Sequence, residues 1–260
     1  EISIISTDKN ILKNFQNVVK QCDLEVDNII YTPYAIGLSL LSEEEKELGV
    51  ALLDIGATLS SLSIFYNGAI VFTKIIPLGG NMITNDISRI FSLSISDSER
   101  IKIINGQLIE EFENSLSIIE VDSLGDDNDS VEIIRKDLIS VIKSRVKEII
   151  NTIKEQVIDS GYNHLIANRV VITGGSSQMD GLVDLTSKII EKKARLAKSN
   201  IIKGIPENMR SSSFSAINSL LTYSTIDHND ISAEGSKKTS SSEGFYNYLV
   251  KFKNWILENF

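Results

Sequence analysis

Two apolar runs in this chain each end at a glycine turn, and each reads as a buried strand. The first run spans residues 49–58 and carries Asp54 just before the turn at Gly56; the second spans residues 169–177 and ends at Gly174-Gly175. Because glycine has no Cβ, backbone N–H groups at such a turn can closely approach a phosphate or a sugar. One such turn is common in α/β proteins. Two of them, with an aspartate at the first, indicate a nucleotide held from two sides.

The bulk composition limits the classes of protein to consider. The chain has 260 residues, of which 42% are hydrophobic, so it can bury the core of one or two domains. A net charge of −9 without a basic stripe argues against nucleic acid as a partner. The single cysteine, Cys22, cannot form an internal disulfide, which favours a reducing compartment. No apolar stretch approaches the roughly 20 residues needed to cross a bilayer.

Hydrophobic periodicity predicts the order of the secondary-structure elements. It predicts strands at 2–5, 26–31, 62–66 and 69–73, and helices at 10–22, 34–41, 82–91, 131–158, 179–190 and 213–223. Strands that alternate with helices imply parallel pairing through right-handed crossovers. The turn Asn67-Gly68 between two β-branched runs is typical of a hairpin. The chain therefore reads as an α/β protein with an antiparallel extension.

Three features have residue types suited to a nucleotide site, and each has a plain structural alternative. Asp54, at the end of a buried strand, is suited to bind Mg²⁺ or its waters; the structural alternative is an aspartate that caps the turn. The turn Gly174-Gly175 before the helix at 179–190 could place a helix N-terminus near a ligand, or be a simple tight turn. Glu99 and Lys102, three residues apart on a helix, could both reach a ribose hydroxyl, or form a solvated ion pair.

The C-terminal segment differs in composition from the rest of the chain. Residues 226–243 are polar and predict a disordered linker, whereas residues 244–260 are apolar again. Helical winding places most of the large apolar side chains of this last segment on one face, namely Phe245, Tyr248, Leu249, Phe252, Trp255 and Ile256, and Phe260 ends the chain. This pattern predicts an amphipathic helix that lies in a membrane surface; the alternative is a helix docked on its own domain.

The strength of that membrane contact can be estimated. Six half-buried large side chains contribute about 5 to 9 kcal/mol gross, before the cost of ordering the helix. One copy would therefore bind a membrane reversibly, and lasting attachment would need several linked copies. The C-terminal segment thus predicts a protein that self-associates at a membrane.

Several stretches together resemble one family. The most specific are residues 47–56, 76–87, 96–102, 171–178 and 255–260. In these stretches the chain is similar to the FtsA family of bacterial cell-division proteins, in the actin, Hsp70 and sugar-kinase superfamily. The resemblance covers essentially all 260 residues. It implies an α/β, actin-like (ribonuclease H-like) fold that is incomplete at the N-terminus and ends in a C-terminal amphipathic helix.

The resemblance also implies a division into subdomains. Residues 1–48 would form part of subdomain 1A, 49–77 and 161–203 subdomain 2A, 78–160 subdomain 2B, and 204–225 the return to 1A, followed by the linker at 226–243 and the membrane-targeting helix at 244–260. The family's first phosphate loop and its subdomain 1C have no counterpart in the chain. We therefore expect an N-terminally truncated member that carries one side of the nucleotide site.

ATP and Mg²⁺ are the ligands that the resemblance implies. The residues expected at the nucleotide are Asp54, Gly56, Ala57, Thr58, Gly79, Gly80, Asn81, Glu99, Lys102, Gly174, Gly175, Ser176 and Met179, with Asp54 at the Mg²⁺ directly or through water. The family usually has Gly-Gly-Gly-Thr or a similar turn after Asp-Ile. This chain has Gly56-Ala57-Thr58 there, which restricts the backbone and leads us to expect ATP binding with slow or absent hydrolysis.

The resemblance finally implies partners. In the family, the C-terminal peptide of FtsZ docks on subdomain 2B, and Arg145 matches the position that contacts it, with Lys136 a second candidate; a solvated helix arginine is the plain alternative. The implied function is an actin-like polymer that tethers FtsZ filaments, with other divisome proteins, to the cytoplasmic face of the bacterial inner membrane at the division site. Two alternatives stay open: a PilM-like pilus-assembly adaptor, and an ATPase or sugar kinase of the same superfamily.

Overall fold

The computed structural model describes residues 4–109, 116–122, 130–198 and 204–225. These residues belong to one unit of the chain, Glu1–Thr225. The predicted linker at 226–243 and the predicted amphipathic helix at 244–260 lie outside the described residues.

The described residues contain helices and strands in the following order. The helices are α1 (Lys9–Gln21), α2 (Thr32–Leu40), α3 (Glu43–Leu48), α4 (Gly80–Phe91), α5 (Ile95–Asn105), α6 (Arg135–Asp159), α7 (Leu182–Ile190) and α8 (Ser215–Thr225). The strands are β1 (Val50–Ile55), β2 (Ser60–Tyr66), β3 (Ala69–Ile76), β4 (Ile118–Asp122), β5 (Ser130–Ile134), β6 (Arg169–Thr173) and β7 (Lys193–Leu196).

A five-stranded sheet organises the unit, with strand order β3-β2-β1-β6-β7. β1 is antiparallel to β2 and parallel to β6, and β6 is parallel to β7. In the parallel pair, Asp54 lies opposite Thr173. Because parallel strands end at the same edge of a sheet, this register places the two glycine turns side by side.

Alternation of side chains along β1 divides the core between the two faces of the sheet. Ala51, Leu53 and Ile55 belong to a large buried cluster that includes side chains of α4, α6 and α7. Val50 and Leu52 belong to a smaller cluster on the other face, with side chains of α2. A strand buried on both faces must be apolar throughout, which explains the continuous apolar run in the sequence.

An ion pair with one buried partner joins α3 to the edge strand β7 of the sheet. Glu45 completes a capping box with Ser42 at the start of α3, and its carboxylate accepts two hydrogen bonds from the Arg195 guanidinium in β7, at 2.8 and 2.6 Å. The Glu45 side chain is 4% exposed. Burial by itself would raise the pKa of Glu45, but the hydrogen bonds from Arg195 and Ser42 outweigh it and lower the pKa. The carboxylate therefore stays ionised and ties two distant parts of the chain together.

Some predicted elements differ in the structure. The predicted strand at 26–31 is wrong, because residues 24–31 form no strand. Of the predicted strand at 2–5, residues 2 and 3 lie outside the described residues, and residues 4 and 5 are not in a strand. Helix α1, between these two segments, buries none of its side chains. A strand needs a hydrogen-bonded neighbour, and no strand of the described residues pairs with either segment. Large apolar side chains such as Ile4 and Phe15 are consequently exposed.

Two predicted helices begin later than the periodicity suggested. The helix predicted at 131–158 begins at Arg135, because residues 130–134 pair with 118–122 as a second, two-stranded sheet. The helix predicted at 179–190 begins at Leu182, since Gly181 before it takes a left-handed conformation with φ of 84°. Among the described residues, no helix is both long enough and apolar enough to cross a membrane.

Candidate nucleotide-binding site

A cavity of about 450 Å³ opens where β1 and β6 end. Its lining contains seven of the predicted nucleotide residues, Ala57, Gly80, Glu99, Lys102, Gly175, Ser176 and Met179, together with Ile83, Ile103, Gly106, Gln178 and Ser213. The cavity thus brings together the turn after β1, the start of α4, one side of α5 and the turn after β6. Residues up to 156 positions apart in the sequence, from Ala57 to Ser213, share one space.

The turn after β1 is bonded to the start of α4. The N–H groups of Gly80 and Asn81 donate to the carbonyl oxygens of Gly56 and Ala57, at 2.9 and 2.7 Å. The Asn81 side chain also donates to Thr58 Oγ1 at 3.4 Å. A Cβ on Gly79 would lie 2.5 Å from the Ala57 oxygen, so only glycine allows this approach. Hydrogen bonds and close packing therefore hold Ala57 together with five other predicted residues, namely Gly56, Thr58, Gly79, Gly80 and Asn81.

The turn after β6 is fitted against the end of β1. Gly174 has φ of 91°, and a Cβ there would lie 2.4 Å from the Ile55 oxygen and 2.5 Å from Asp54 Oδ1. Ser176 Oγ donates to the Gly56 oxygen at 3.1 Å, which links the two turns directly. Gly175 has no such constraint, because its nearest neighbour would be Ser213 Oγ at 3.5 Å. The two turns therefore lie next to each other on one side of the site, and they do not face each other across it.

Asp54 lies half-buried at this junction. Burial raises the pKa of its carboxyl. Within the described parts of the chain, no side chain or backbone N–H donates a hydrogen bond to that carboxylate, and no group of three or more His, Cys, Asp or Glu side chains is placed to hold a metal ion. Mg²⁺ is often held by one carboxylate together with water and phosphate oxygens. The residues around Asp54 fit that kind of site and not an all-protein metal cage.

Glu99 and Lys102 lie on α5, one turn apart, as predicted, and both line the cavity. Lys102 Nζ donates to Glu99 Oε2 at 2.6 Å. Thr84 Oγ1, from α4, donates to the same Glu99 oxygen. Burial by itself would raise the pKa of Glu99, but the hydrogen bonds from Lys102 and Thr84 lower it. Glu99 is therefore an ionised acceptor at the cavity wall.

The cavity also contains residues that the sequence did not single out. Ile103 is 70% exposed on α5, and this exposure is a property of the structure that the sequence pattern does not indicate. Gln178 Nε2 donates to Ser213 Oγ at 2.6 Å, joining the turn after β6 to the segment before α8. Ile83, in the first turn of α4, and Gly106, which directly follows α5, also line the cavity. Only the tertiary fold brings these residues to the site.

The two predicted partner residues lie on α6, away from the cavity. The Arg145 guanidinium binds both oxygens of Asp86 on α4, at 2.5 and 2.9 Å, and also contacts Glu148 at 2.6 Å. Lys136 is exposed in the first turn of α6. Nine residues of helix separate the two, about two and a half turns, so they lie on opposite faces of α6. The helix does not bring Lys136 and Arg145 together.

Solved structures with the same fold define the class of protein. MreB5 of Spiroplasma citri bound to ADP is 16% identical, with a TM-score of 0.67, and the match covers 84% of this chain and 66% of that one. The PilM-PilN type IV pilus biogenesis complex is also 16% identical, with a TM-score of 0.61, covering 81% of this chain and 57% of that one. The predicted actin-like fold is thereby confirmed for this α/β chain.

Sequence comparison then identifies the family. The sequence model of the family described as "Cell division protein FtsA" matches residues 51–219. Cell division protein FtsA of Pseudomonas aeruginosa is 34% identical over this whole chain and 63% of its own length, and that of Rhizobium meliloti is 29% identical over the whole chain and 59% of its own length. This chain belongs to the FtsA family of cell-division proteins. It spans about three fifths of the length of these relatives.

Proposed function

We propose that the cavity binds ATP and that the protein acts as an actin-like polymer in bacterial cell division. The observation that carries the proposal is the convergence of both glycine turns and the Glu99 carboxylate on one space of about 450 Å³. Membership of the FtsA family supports the cell-division role. The fold shared with MreB5 structures bound to ADP and to AMPPNP supports a nucleotide as the ligand.

The site suggests an orientation for the nucleotide. The phosphates would lie at the turn 56–58, where Asp54 would hold Mg²⁺ directly or through water, and the adenosine would lie toward Gly174-Gly175 with its ribose beside Glu99. A bound Mg²⁺ would neutralise phosphate charge and relieve the uncompensated burial of Asp54. Ala57 and Thr58 have less backbone freedom than the glycines usual in the family. We therefore propose that ATP serves as an assembly ligand with slow or absent turnover.

The remaining parts of the proposal concern partners. The C-terminal peptide of FtsZ would dock on the predicted subdomain 2B at Arg145. Lys136, the second predicted contact, lies on the opposite face of α6 and is not part of this proposal. The polymer would hold FtsZ filaments with other divisome proteins. The segment 244–260 would anchor it peripherally to the cytoplasmic face of the inner membrane at the division site. A PilM-like adaptor or a superfamily kinase would share the fold, but the match to the FtsA family favours the tether.

A charge placed at the cavity wall tests whether ATP binds there. Ile103 and Ile104 are neighbours on α5 and equally exposed, at 70% each, but only Ile103 lines the cavity. Ile103→Glu adds a negative charge to the wall of the cavity proposed to hold the anionic nucleotide, whereas Ile104→Glu makes the same change in net charge outside the cavity. Through partly screened solvent, a charge within about 8 Å of ATP is expected to weaken binding about tenfold.

The measurement is the ATP dissociation constant of the full-length protein by isothermal titration calorimetry, with Mg²⁺ present. Ile103→Glu should raise it about tenfold and Ile104→Glu should leave it near the wild-type value. Equal effects of the two variants would remove this cavity from consideration as the ATP site.

A further inference from the structure

Thr84 contacts the ligand-facing residues without lining the cavity itself. It lies in the middle of α4, and its side chain is buried, with 3% exposure for the residue. Its hydroxyl accepts a hydrogen bond from Lys102 Nζ at 2.9 Å and donates to Glu99 Oε2. The Gly80 carbonyl oxygen also lies within hydrogen-bond distance of the Thr84 hydroxyl, at 3.2 Å. A hydroxyl has one hydrogen to donate, and the ionised Glu99 carboxylate is the stronger acceptor of the two. Thr84 is therefore the link between the two charged side chains of the wall.

The Lys102 ammonium is fully used within the protein. It donates to the Gly80 oxygen at 3.2 Å, to Thr84 Oγ1 at 2.9 Å and to Glu99 Oε2 at 2.6 Å. A lysine ammonium has three hydrogens, so these three acceptors leave none for a ligand. The side chain is also only 11% exposed. Lys102 thus holds α5 against the start of α4 and fixes the position of Glu99.

The Glu99 carboxylate is asymmetric. Its Oε2 receives hydrogen bonds from Lys102 and Thr84, whereas no donor in the described part of the chain reaches Oε1. The side chain is 42% exposed and lines the cavity. Because two donors fix one oxygen, the other is presented in a defined direction with its acceptor capacity unused.

We propose that Thr84 and Lys102 are positioning residues that present Glu99 Oε1 to a ribose hydroxyl and so make the site selective for ribonucleotides. This inference rests on the proposed function, because it assigns one contact within the same ATP site. A ribose hydroxyl donates well to an ionised carboxylate, and a sugar without that hydroxyl leaves the carboxylate unpaired. The same geometry removes Lys102 from the set of residues that bond the ligand.

A substitution that changes only the hidden hydroxyl tests this. Thr84→Val keeps the size of the side chain and removes the hydroxyl, and Thr84→Ser keeps the hydroxyl. For each variant of the full-length protein, the dissociation constants of ATP and of 2′,3′-dideoxy-ATP are measured by calorimetry with Mg²⁺. The wild-type protein should bind ATP about tenfold or more tightly than dideoxy-ATP, which is the effect of one hydrogen bond to a charged group.

The expected result is a loss of selectivity in one variant. Thr84→Val should lose most of the preference for ATP while its affinity for dideoxy-ATP stays near the wild-type value, and Thr84→Ser should keep the preference. Unchanged preference in Thr84→Val overturns the inference. Equal loss of affinity for both nucleotides also overturns it, because the effect then does not act through the ribose. A wild-type protein that binds neither nucleotide refutes the proposed function, and this inference with it.

Discussion

Substitution of Gly174 tests whether the two turns are as closely fitted as the structure shows. Gly174 has φ of 91° and ψ of 166°, a backbone region that is essentially restricted to glycine. In Gly174→Ala, the added Cβ would lie 2.4 Å from the Ile55 oxygen and 2.5 Å from Asp54 Oδ1. Both are far inside van der Waals contact, and one of them is backbone that cannot rotate away.

The magnitude follows from these two effects. A residue held in such a backbone region costs of the order of 1 to 3 kcal/mol, and relief of the overlap must shift the end of β1 as well. We expect Gly174→Ala to lower the free energy of unfolding by about 3 kcal/mol. For a protein of this size, that corresponds to a fall in melting temperature of roughly 6 to 12 °C.

The neighbouring glycine provides the control. A Cβ on Gly175 would have its nearest neighbour at 3.5 Å, an ordinary contact, and Gly175 does not have positive φ. Gly175→Ala should therefore change the melting temperature by little. Differential scanning calorimetry of both variants without nucleotide gives the comparison. If Gly174→Ala unfolds at the wild-type temperature, or if both variants fall equally, the close packing of the two turns is refuted.

Four further changes have defined outcomes. Arg195→Leu removes the two closest guanidinium donors from the buried Glu45 carboxylate and should lower the free energy of unfolding by about 3 kcal/mol, measured by urea unfolding. Asp54→Asn removes the charge of a half-buried carboxylate that has no hydrogen-bond donor among the described residues. It should therefore raise the melting temperature of the nucleotide-free protein at pH 7 by a few degrees, at roughly 2 to 4 °C for each 1 kcal/mol of added stability. The same substitution should weaken Mg·ATP binding, measured by calorimetry. Arg145→Glu should weaken binding of an FtsZ tail peptide at least about tenfold, measured by fluorescence anisotropy. Deletion of residues 244–260 should abolish co-sedimentation with anionic liposomes.

Controls and pH dependence sharpen these outcomes. Arg169→Leu is the control for Arg195→Leu, because Arg169 approaches the Glu45 carboxylate only to 3.9 Å. Since its pKa is lower in the folded protein, Glu45 contributes its full stability above its ordinary pKa, and that stability is lost as pH falls through the folded value. The contribution of Asp54 to stability has the opposite sign, because its pKa is raised in the folded protein and the ionised carboxylate destabilises the fold above that pKa. The gain in melting temperature from Asp54→Asn should therefore become smaller in acid.

Each of those predictions has an outcome that refutes it. Equal decreases in the free energy of unfolding for Arg195→Leu and Arg169→Leu would refute the special role of the bidentate Glu45–Arg195 pair. A more stable Asp54→Asn protein with unaltered Mg²⁺ dependence would remove Asp54 from the metal site. Asp86→Asn removes one of the two carboxylates that pair with the Arg145 guanidinium, so it should strengthen peptide binding. Unchanged peptide binding in both Arg145→Glu and Asp86→Asn would exclude this surface. Unchanged liposome binding after the deletion would end the anchoring proposal.

The sequence was sufficient for those features that depend on local pattern. Continuous apolar residues in β1 predicted a buried strand, and Asn67-Gly68 predicted the turn between β2 and β3. Periodicity was not sufficient at residues 130–134, where pairing with 118–122 replaced the first turn of a predicted helix. It also failed at residues 26–31, because a strand depends on a neighbour that a local pattern cannot reveal.

Family membership and the residue types of the site were thus determined by the sequence alone, since glycine turns, Asp54 and the Glu99-Lys102 spacing are properties of the chain. Only the tertiary structure decided how these residues are arranged in space. The parallel register of β1 and β6 made the two turns neighbours on one wall, and packing of α4 against α5 placed a buried hydroxyl behind Glu99. Hydrogen-bond partners depend on positions in space, and Thr84 and Lys102 approach each other across 18 residues of sequence that carry no sign of that contact.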